Sequence, residues 1–226
     1  MVKQKLEARA LLIDLDGTIV DSLEAFAEAA ETAISTITGN QSSEDAGLEL
    51  ARCLQCNLPL DEFFDRNNVD GALREVFLTL FLQSFYKIAL SKTKLFPNVE
   101  KTLRKLSRNF LLALITRRRV PKRLVKKELE RLHLDSYFTV IVTSLEVERP
   151  TPFPDAILKA ADELQMPTYD CVVVSDSGVD IQAGKSVGAK TVAVLSGLFK
   201  KEDLKKEMPD LIMKDITHLP EYLLVP

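Results

Sequence analysis

Residues 10–18 read ALLIDLDGT, and this short stretch decides how the rest of the chain is interpreted. An apolar run typical of a buried strand ends in Asp14 and Asp16, with one leucine between them, and Gly17 and Thr18 follow at once. Two carboxylates so close together repel each other, and they lose favourable hydration when they are buried. The sequence therefore predicts that a distant part of the chain supplies what offsets their charge.

Composition narrows the class of protein. The chain has 226 residues, of which 46% are hydrophobic and 28% are charged, as in an ordinary globular protein with a sizeable core. A formal net charge of −3 provides no overall positive charge, so nucleic acid is not the expected partner. We expect neither a signal peptide nor a membrane-spanning segment, and three cysteines are too few for a disulfide framework, so the expected location is the cytoplasm.

Two of the cysteines, Cys53 and Cys56, have the CxxC spacing that occurs in some metal and redox sites. No second cysteine pair and no histidine at ligand spacing accompany them in the sequence. Both fall in a helix-like stretch, where small side chains commonly fill the space between helices. We therefore interpret the pair as packing residues rather than as a metal or redox site.

Short apolar stretches alternate with helical patterns along most of the chain. The stretches are rich in branched residues and almost continuously apolar, which is typical of parallel strands covered by helices on both faces. Predicted strands cover 10–15, 110–116, 139–144, 171–176 and 191–196, with a weaker one at 210–213, and predicted helices cover 98–108, 121–132, 153–164 and 178–187. The sequence therefore predicts an α/β fold with a Rossmann-like parallel sheet flanked by helices.

One long interval carries only helical pattern. Between Ser22 and about Lys94, apolar residues recur at steps of three and four, as Phe77, Phe81 and Phe85 do. We interpret this interval as an inserted all-helical domain attached through two connections. The predicted division is a core domain of residues 1–17 and 95–226 and a helical domain of residues 18–94.

The carboxyl ends of the predicted strands carry reactive and charged side chains. Asp14, Thr116 and Asp176 each stand at a strand end, and Arg149 comes shortly after another strand. Open α/β sheets bind their ligands at this edge. The carboxylates of Asp14 and Asp176 suit Mg²⁺, which takes one or two carboxylates together with waters and a phosphate oxygen. Arg149 and Thr116 suit the remaining phosphate oxygens.

Two competing interpretations are weaker. Each acid could be a helix cap or a solvated loop charge, but that explanation has to hold separately at every strand end. The basic run TRRRVPKRLVKK at 116–127 could bind nucleic acid. Because this run starts beside a strand end, we interpret it as a solvated surface helix, with Arg117 near an anionic substrate.

Four short motifs in this chain resemble those of the haloacid dehalogenase-like superfamily, and they occur in the same order. They are DLDGT at 14–18, LLALIT at 111–116, RPTPFPD at 149–155 and VVVSDSGVD at 172–180. The first and the fourth are the specific ones. The helical insert resembles the α-helical cap of the subgroup that includes phosphoglycolate phosphatase and β-phosphoglucomutase.

The resemblance implies a role for each matching residue. Asp14 would be the nucleophile that forms an aspartyl-phosphate. Asp16 would act as the acid and then the base, and its backbone carbonyl would help to hold the metal. Thr116 would bind the phosphoryl group, and Arg149 would neutralise charge on that group and on Asp14. Asp176 would be a ligand of Mg²⁺.

Further positions take supporting roles or depart from the superfamily pattern. The resemblance implies that Asp180 supports Arg149 or a metal-bound water, and we expect Gly17 and Arg117 to contact the substrate. Arg149 stands where the superfamily usually has lysine, and Ser175 stands where glycine is common. These departures affect the expected rate and substrate preference, because none of them removes a reacting group.

The predicted function is Mg²⁺-dependent hydrolysis of a small phosphorylated metabolite, a phosphate monoester, through an aspartyl-phosphate. The presence of Asp16 favours phosphate-ester chemistry, because relatives that act on carbon–halogen bonds or phosphonates lack that aspartate. Two alternatives remain open at this point. One is a phosphosugar mutase built on the same scaffold, and the other is a binding or regulatory protein with low turnover.

Overall fold

The computed structural model describes residues 5–43, 45–56 and 58–225, apart from the side chains of Gln55 and Cys56. The chain divides into two compact units. One contains the residues up to Val20 and those from Leu95 onward, and the other runs from Asp21 to Lys94. Within the described ranges, no helix has both the length and the apolar character that crossing a bilayer requires.

The strands form one large sheet and two small ones. In chain order they are β1 (Leu6–Glu7), β2 (Ala10–Asp14), β3 (Val20–Asp21), β4 (Lys94–Leu95), β5 (Leu111–Thr116), β6 (Val140–Thr143), β7 (Cys171–Ser175), β8 (Lys190–Val194), β9 (Leu211–Met213) and β10 (Leu223–Leu224). The large sheet has the order β6-β5-β2-β7-β8-β9 with every pairing parallel, while β1 pairs with β10 and β3 with β4. The predicted α/β class is therefore confirmed, and β2 lies inside the sheet between β5 and β7.

The helices follow the predicted pattern closely. They are α1 (Leu23–Thr38), α2 (Ala46–Cys56), α3 (Asp61–Arg66), α4 (Arg74–Lys92), α5 (Val99–Leu106), α6 (Lys122–Arg131), α7 (Asp155–Glu163), α8 (Gly178–Ser186) and α9 (Lys201–Lys206). Short 3-10 helices cover Gly71–Leu73, Asp135–Tyr137, Ser144–Glu146, Thr168–Asp170 and Ile216–Glu221. Helices α5 to α8 correspond to the four that were predicted, with ends one or two residues shorter.

The large sheet is apolar because helices cover it. All five residues of β2 and all five residues of β7 are buried. The last four residues of β8 are buried as well. Small side chains of α7, including Ala156 and Ala160, pack against the sheet in a cluster that also contains Leu12 and Val173. Asp14 stands out in this apolar setting, since it is a buried carboxylate at the end of the central β2.

Aromatic side chains organise the unit formed by α1 to α4. Phe77, Phe81 and Phe85 succeed one another along α4, with ring centroids 6.4 Å and 6.0 Å apart. Phe26 of α1 packs on this row, with its centroid 4.2 Å from that of Phe85. Leu23 starts α1 and has 40% of its surface exposed.

The cysteine pair falls in α2. Cys53 is partly buried, and burial is the main reason that its thiol pKa is raised. The packing predicted for the Cys56 side chain lies outside the described residues. A raised thiol pKa disfavours the thiolate, which is the form that binds metals and attacks disulfides.

Candidate active site

The parallel register brings several strand ends to one edge of the large sheet. Asp14 ends β2 and pairs with Ile115, so Thr116 at the end of β5 lies one position further along. On the other side of β2, β7 ends at Ser175, and Asp176 follows. The pairing of β2 with β7 therefore brings Asp14 and Asp176, which are more than 160 positions apart in the chain, to the same edge of the sheet.

The Asp14 carboxylate lies in a setting that opposes its charge. Its residue is 7% exposed. Burial is the largest cause that raises the Asp14 pKa well above its usual range, and the negative charges of Asp180 and Asp176 raise it further. The guanidinium of Arg117 acts in the opposite direction. A neighbouring positive charge would favour the ionised form of Asp14 that a nucleophile requires.

Asp176 is completely buried and only half satisfied. Burial is the main cause that raises its pKa to about 7, although the charge of Arg117 and the N–H of Leu198 both lower it. Its Oδ2 accepts a hydrogen bond from the Leu198 N–H at 3.2 Å. Its Oδ1 is buried and has no hydrogen-bond partner among the described residues. A buried carboxylate oxygen without a donor is an unusual feature that a bound cation would explain.

The Asp176 carboxylate occupies space that is open because its neighbours Gly17 and Gly197 have no side chains. A Cβ on Gly17 would lie 2.4 Å from Asp176 Oδ2, and a Cβ on Gly197 would lie 1.7 Å from the same atom. The surrounding loops are joined by side chains, since the Ser196 hydroxyl donates to the Gly17 carbonyl at 2.7 Å and the Asp176 N–H donates to the Thr18 hydroxyl at 3.1 Å. The position of Asp176 is therefore fixed from three sides.

These residues fit a divalent cation of the Mg²⁺ type. Among the described residues, no three His, Cys, Asp or Glu side chains are arranged to hold a metal by themselves. Mg²⁺ needs fewer protein ligands, because it retains waters and binds phosphate oxygens. Asp14 and Asp176 offer two carboxylates with raised pKa values, and one of their oxygens has no donor.

Ser175 connects two of the acids. Its hydroxyl donates to Asp180 Oδ2 at 2.8 Å, lies 3.5 Å from Asp14 Oδ2, and accepts from the Ser177 N–H at 3.0 Å. Asp180 stands in the first turn of α8, so the helix fixes its backbone while the serine fixes its carboxylate. Ser175, which stands where the superfamily commonly has glycine, thus holds the Asp180 carboxylate beside Asp14.

Arg117 is the basic residue that interacts with these acids. Its Nε lies 3.9 Å from Asp180 Oδ2, and 23% of its side chain is exposed. Burial opposes its charge, but Asp180, Asp14 and Asp176 outweigh that effect and raise its pKa. Its partial exposure leaves room for an anion to approach the same guanidinium. The predicted place of Arg117 near an anionic substrate is compatible with this geometry.

Asp16 faces a different partner. Both of its carboxylate oxygens accept from Arg118, at 2.8 Å from Nε and 2.7 Å from Nη2. The same guanidinium is hydrogen-bonded to Glu128 of α6. The backbone N–H of Arg118 also donates to the Thr116 hydroxyl at 3.3 Å. Asp14 and Asp16 therefore point to separate electrostatic partners, although only one residue lies between them.

The structure does not bring Arg149 into this group, which differs from the expectation that it contacts Asp14. Its guanidinium forms a two-point ion pair with Asp155, at 2.8 Å and 3.2 Å, and lies over the Phe153 ring. Its side chain is 58% exposed. The physical reason is local, since Asp155 also accepts from the Arg149 backbone N–H and so holds the whole residue. A catalytic role for Arg149 stays a prediction.

Some residues of the site were missed in the sequence. Arg118 was assigned to a solvated basic run, yet it is 7% exposed, and Glu128 and Gly197 received no role. Glu128 carried a signal, because it is an acid between Val125 and Leu129 on the apolar stripe of a mainly basic helix. An acid on such a stripe near several arginines is typical of a buried ion pair. Nothing in the local sequence marks Gly197.

Comparison with protein-family models matches residues 11–194 to the haloacid dehalogenase-like hydrolases. A relative from Caldanaerobacter subterraneus subsp. tengcongensis, provisionally named pyrophosphatase PpaX, is 30% identical over 95% of this chain and 94% of its own. Phosphoglycolate phosphatase of Escherichia coli strain K12 is 29% identical over 94% of this chain and 91% of its own.

Solved structures share the fold. A haloacid dehalogenase-like hydrolase from Streptococcus pneumoniae superposes with a TM-score of 0.80 at 19% identity, covering 95% of this chain and 98% of that one. A protein from Thermotoga maritima, provisionally described as β-phosphoglucomutase, gives a TM-score of 0.73 at 23% identity, covering 94% of this chain and 97% of that one. At these identities the likeness concerns the fold alone.

Proposed function

Since this chain belongs to the haloacid dehalogenase-like hydrolase family, we propose that it is a Mg²⁺-dependent phosphatase that hydrolyses a small phosphate monoester. Membership of the family makes the chain an enzyme, and relatives named as phosphatases support phosphate transfer as its chemistry. The observation that carries the proposal is the buried Asp14 at the end of β2, beside the half-satisfied Asp176 and the cation Arg117.

In the first step, an Asp14 oxygen attacks phosphorus, and the bond between phosphorus and the leaving oxygen breaks. Asp16 gives its proton to that leaving oxygen, so the product departs as an alcohol, and Asp14 becomes an aspartyl-phosphate. Thr116 and Arg117 would bind the phosphoryl oxygens, on which the negative charge is spread. The separate orientation of Asp14 and Asp16 supports this division of labour.

In the second step, water attacks the phosphorus of the aspartyl-phosphate. Asp16, now without its proton, accepts one from the water, the bond between Asp14 and phosphorus breaks, and inorganic phosphate leaves. Both carboxyl groups then return to their starting states. Asp180, held by Ser175, is suited to keep Arg117 and Asp14 in position through both steps.

Mg²⁺ would be held by the carboxylates of Asp14 and Asp176 and by the Asp16 backbone carbonyl, where it would neutralise charge on the phosphoryl oxygens. The Oδ1 of Asp176, which has no hydrogen-bond partner in the part of the chain that the structure describes, supports this assignment. The glycines at 17 and 197 support it as well, because they keep Asp176 from being displaced by a neighbouring side chain.

We also propose that the helical domain predicted at 18–94 acts as a cap that limits water at the site and contributes substrate specificity. Its support is the division of the chain into a unit from Asp21 to Lys94 and a second unit that contains the sheet. The cytoplasm remains the predicted location, and a small phosphorylated metabolite remains the predicted substrate class.

The test is a screen of phosphate esters, with 2-phosphoglycolate, sugar phosphates and inorganic pyrophosphate in the panel, in Mg²⁺ or in a chelator. We expect turnover of at least one ester that needs Mg²⁺. Asp14→Asn should remove at least about a thousandfold of kcat, because it removes the nucleophile. Asp203→Asn, at an exposed ion pair on α9, is the matched control and should keep wild-type activity.

Failure to hydrolyse any compound of the panel, by protein that is folded and supplied with Mg²⁺, would overturn the proposal. Full activity of Asp14→Asn would overturn the assigned nucleophile. Labelled phosphate separates hydrolysis from a mutase reaction, because a hydrolase releases the label to water and a mutase returns it to a sugar.

A further inference from the structure

A buried three-charge cluster lies beside the site, formed by Asp16, Arg118 and Glu128. Their side chains are only 13%, 6% and 2% exposed. We propose that Arg118 and Glu128 are positioning residues, which together control how readily the Asp16 carboxyl group is released to the reacting phosphate. This inference rests on the proposed function, because it concerns the acid–base residue of that reaction.

The fold fixes the backbone positions of Arg118 and Glu128. The Arg118 backbone N–H donates to the Thr116 hydroxyl at 3.3 Å, and its carbonyl accepts from the Ser144 N–H at 3.2 Å. Glu128 stands on α6 beside Leu129, which is completely buried. The guanidinium therefore extends from a fixed backbone between a strand-end carboxylate and a helix carboxylate.

Stability alone does not account for these buried charges. Removing ions from water costs several kcal/mol for each, and apolar residues of similar size often serve as well or better. Arg118 also donates hydrogen bonds to two carboxyl groups, those of Asp16 and Glu128. Fold stability alone would be served by one pair. The second carboxylate has a different consequence, because it competes for the donors of Arg118.

Glu128 competes with Asp16 for the N–H groups of Arg118, so the bonds affected are those between Arg118 and Asp16. The two oxygens of Asp16 accept from Nε and Nη2 of Arg118, which is the two-point arrangement that binds a carboxylate most strongly. A carboxyl group that donates a proton to a leaving oxygen needs one of its oxygens to be clear of such a donor. Asp16 must therefore give up at least one bond to Arg118 during the reaction.

Glu128 weakens that hold. It accepts from Nη1 of Arg118, and its other oxygen lies 3.4 Å from Nη2, the same nitrogen that binds Asp16. Without a charge on Glu128, the guanidinium would lose a competing attraction and would hold Asp16 more tightly. With lysine in place of Arg118, the fork is lost and Asp16 has no fixed orientation. Either change should impair the use of Asp16 as an acid.

The experiment compares kcat/KM for an alkyl phosphate and for 4-nitrophenyl phosphate. The alkyl leaving oxygen needs a proton, whereas 4-nitrophenolate leaves well without one, and kcat/KM reports the steps through departure of that group. We expect Glu128→Gln and Arg118→Lys to lower the alkyl-to-aryl ratio of kcat/KM by about tenfold or more. Asp16→Asn sets the limit for complete loss of the acid.

Leu129→Ala is the matched control, because it removes a buried apolar side chain from the same helix and leaves all three charged side chains in place. It should lower the melting temperature and leave the ratio unchanged. Glu128→Gln preserves shape, so it remains informative where Arg118→Lys fails to fold. Equal losses on both substrates, or no loss, in Glu128→Gln would overturn the inference while leaving the phosphatase intact. Wild-type protein that hydrolyses neither these two substrates nor any compound of the panel described above would overturn the proposed function, and this inference with it.

Discussion

Asp176 depends on a residue that has no side chain. Gly197 lies so close that any Cβ would overlap Asp176 Oδ2, which would be 1.7 Å away. The obstacle is the carboxylate itself, which is buried and bonded to the next N–H, at Leu198. At the scale of single residues, the absence of a methyl group at Gly197 therefore sets the position of a proposed metal ligand.

Gly197→Ala should move the Asp176 carboxylate and impair Mg²⁺-dependent turnover. We expect the Mg²⁺ concentration for half-maximal activity to rise by about tenfold or more, since metal sites tolerate only small displacements of a ligand. Mg²⁺ titration of the hydrolysis rate measures this. Gly71→Ala is the control, because a Cβ there meets nothing within 4 Å. An unchanged Mg²⁺ requirement in Gly197→Ala would contradict the assigned role of Asp176.

The resemblance and the structure point to different arginines, Arg149 and Arg117, as the positive charge that assists the phosphoryl group. The resemblance assigned it to Arg149, whereas the structure places Arg117 beside the acids and pairs Arg149 with Asp155. From these positions, we expect Arg117→Ala to lower kcat/KM by about a hundredfold and Arg149→Ala by less than about tenfold. Kinetics of both variants on one substrate decide between them. A larger loss in Arg149→Ala would return the role to that residue.

At the scale of elements, α4 is held by the aromatic row that faces α1. Phe81 is completely buried and contacts Phe77, Phe85 and Phe26. Phe81→Ala should destabilise the helical unit by about 3–5 kcal/mol, because it removes a large buried ring and leaves a cavity. Urea unfolding followed by circular dichroism measures this loss.

Val76 provides the comparison on the same helix, since 48% of its surface is exposed. Val76→Ala should change the free energy of unfolding by no more than about 0.5 kcal/mol. Equal effects of the two substitutions would show that the aromatic row does not hold the helix. The pair therefore separates loss of packing from loss of a branched side chain in a helix.

The strands were predictable because a strand that is buried on both faces has an almost continuously apolar sequence. Runs such as ALLID and CVVVS are apolar at every position, and the structure has them as β2 and β7. The ends of α5 to α8 were predicted less closely, because helix ends depend on local capping.

The reacting acids could be predicted for a similar reason, since their place follows from strand ends and parallel order. The partners of the arginines could not. Arg117, Arg118 and Arg149 are alike in sequence, and the surrounding acids determine where each side chain goes. Asp155, Glu128 and Asp180 select among them through contacts that join different elements. Such choices depend on three-dimensional proximity, which a pattern along one stretch does not contain.

At the scale of the whole molecule, the buried acids make stability depend on pH in metal-free protein. The pKa of Asp176 is raised to about 7, and that of Asp14 is raised as well, compared with about 3.9 in an unfolded chain. Between these values the folded state binds more protons than the unfolded state, so the free energy of unfolding falls as pH rises. In a chelator, these groups should contribute least stability above pH 7.

Asp176→Asn removes one of these groups and provides the measurement. In a chelator, its melting temperature should exceed that of the wild type at pH 8, and the difference should shrink towards pH 5. Added Mg²⁺ should raise the melting temperature of the wild type at pH 8 and leave Asp176→Asn nearly unchanged. Parallel pH curves for the two proteins in a chelator would contradict the burial of an ionisable group at this position.

The central place of β2 has a consequence for the synthesis of the protein. Of the strands in the large sheet, β2 is synthesised first, yet one neighbour, β5, begins at Leu111 and the other, β7, begins at Cys171. At about 5–20 residues per second, ALLID waits roughly 10–30 s for its second neighbour. Until then, at least one edge of this apolar segment lacks its partner strand, and chaperones bind segments of this kind. A polypeptide released before Leu198 would contain the Asp14 carboxylate and lack the loop that completes its surroundings.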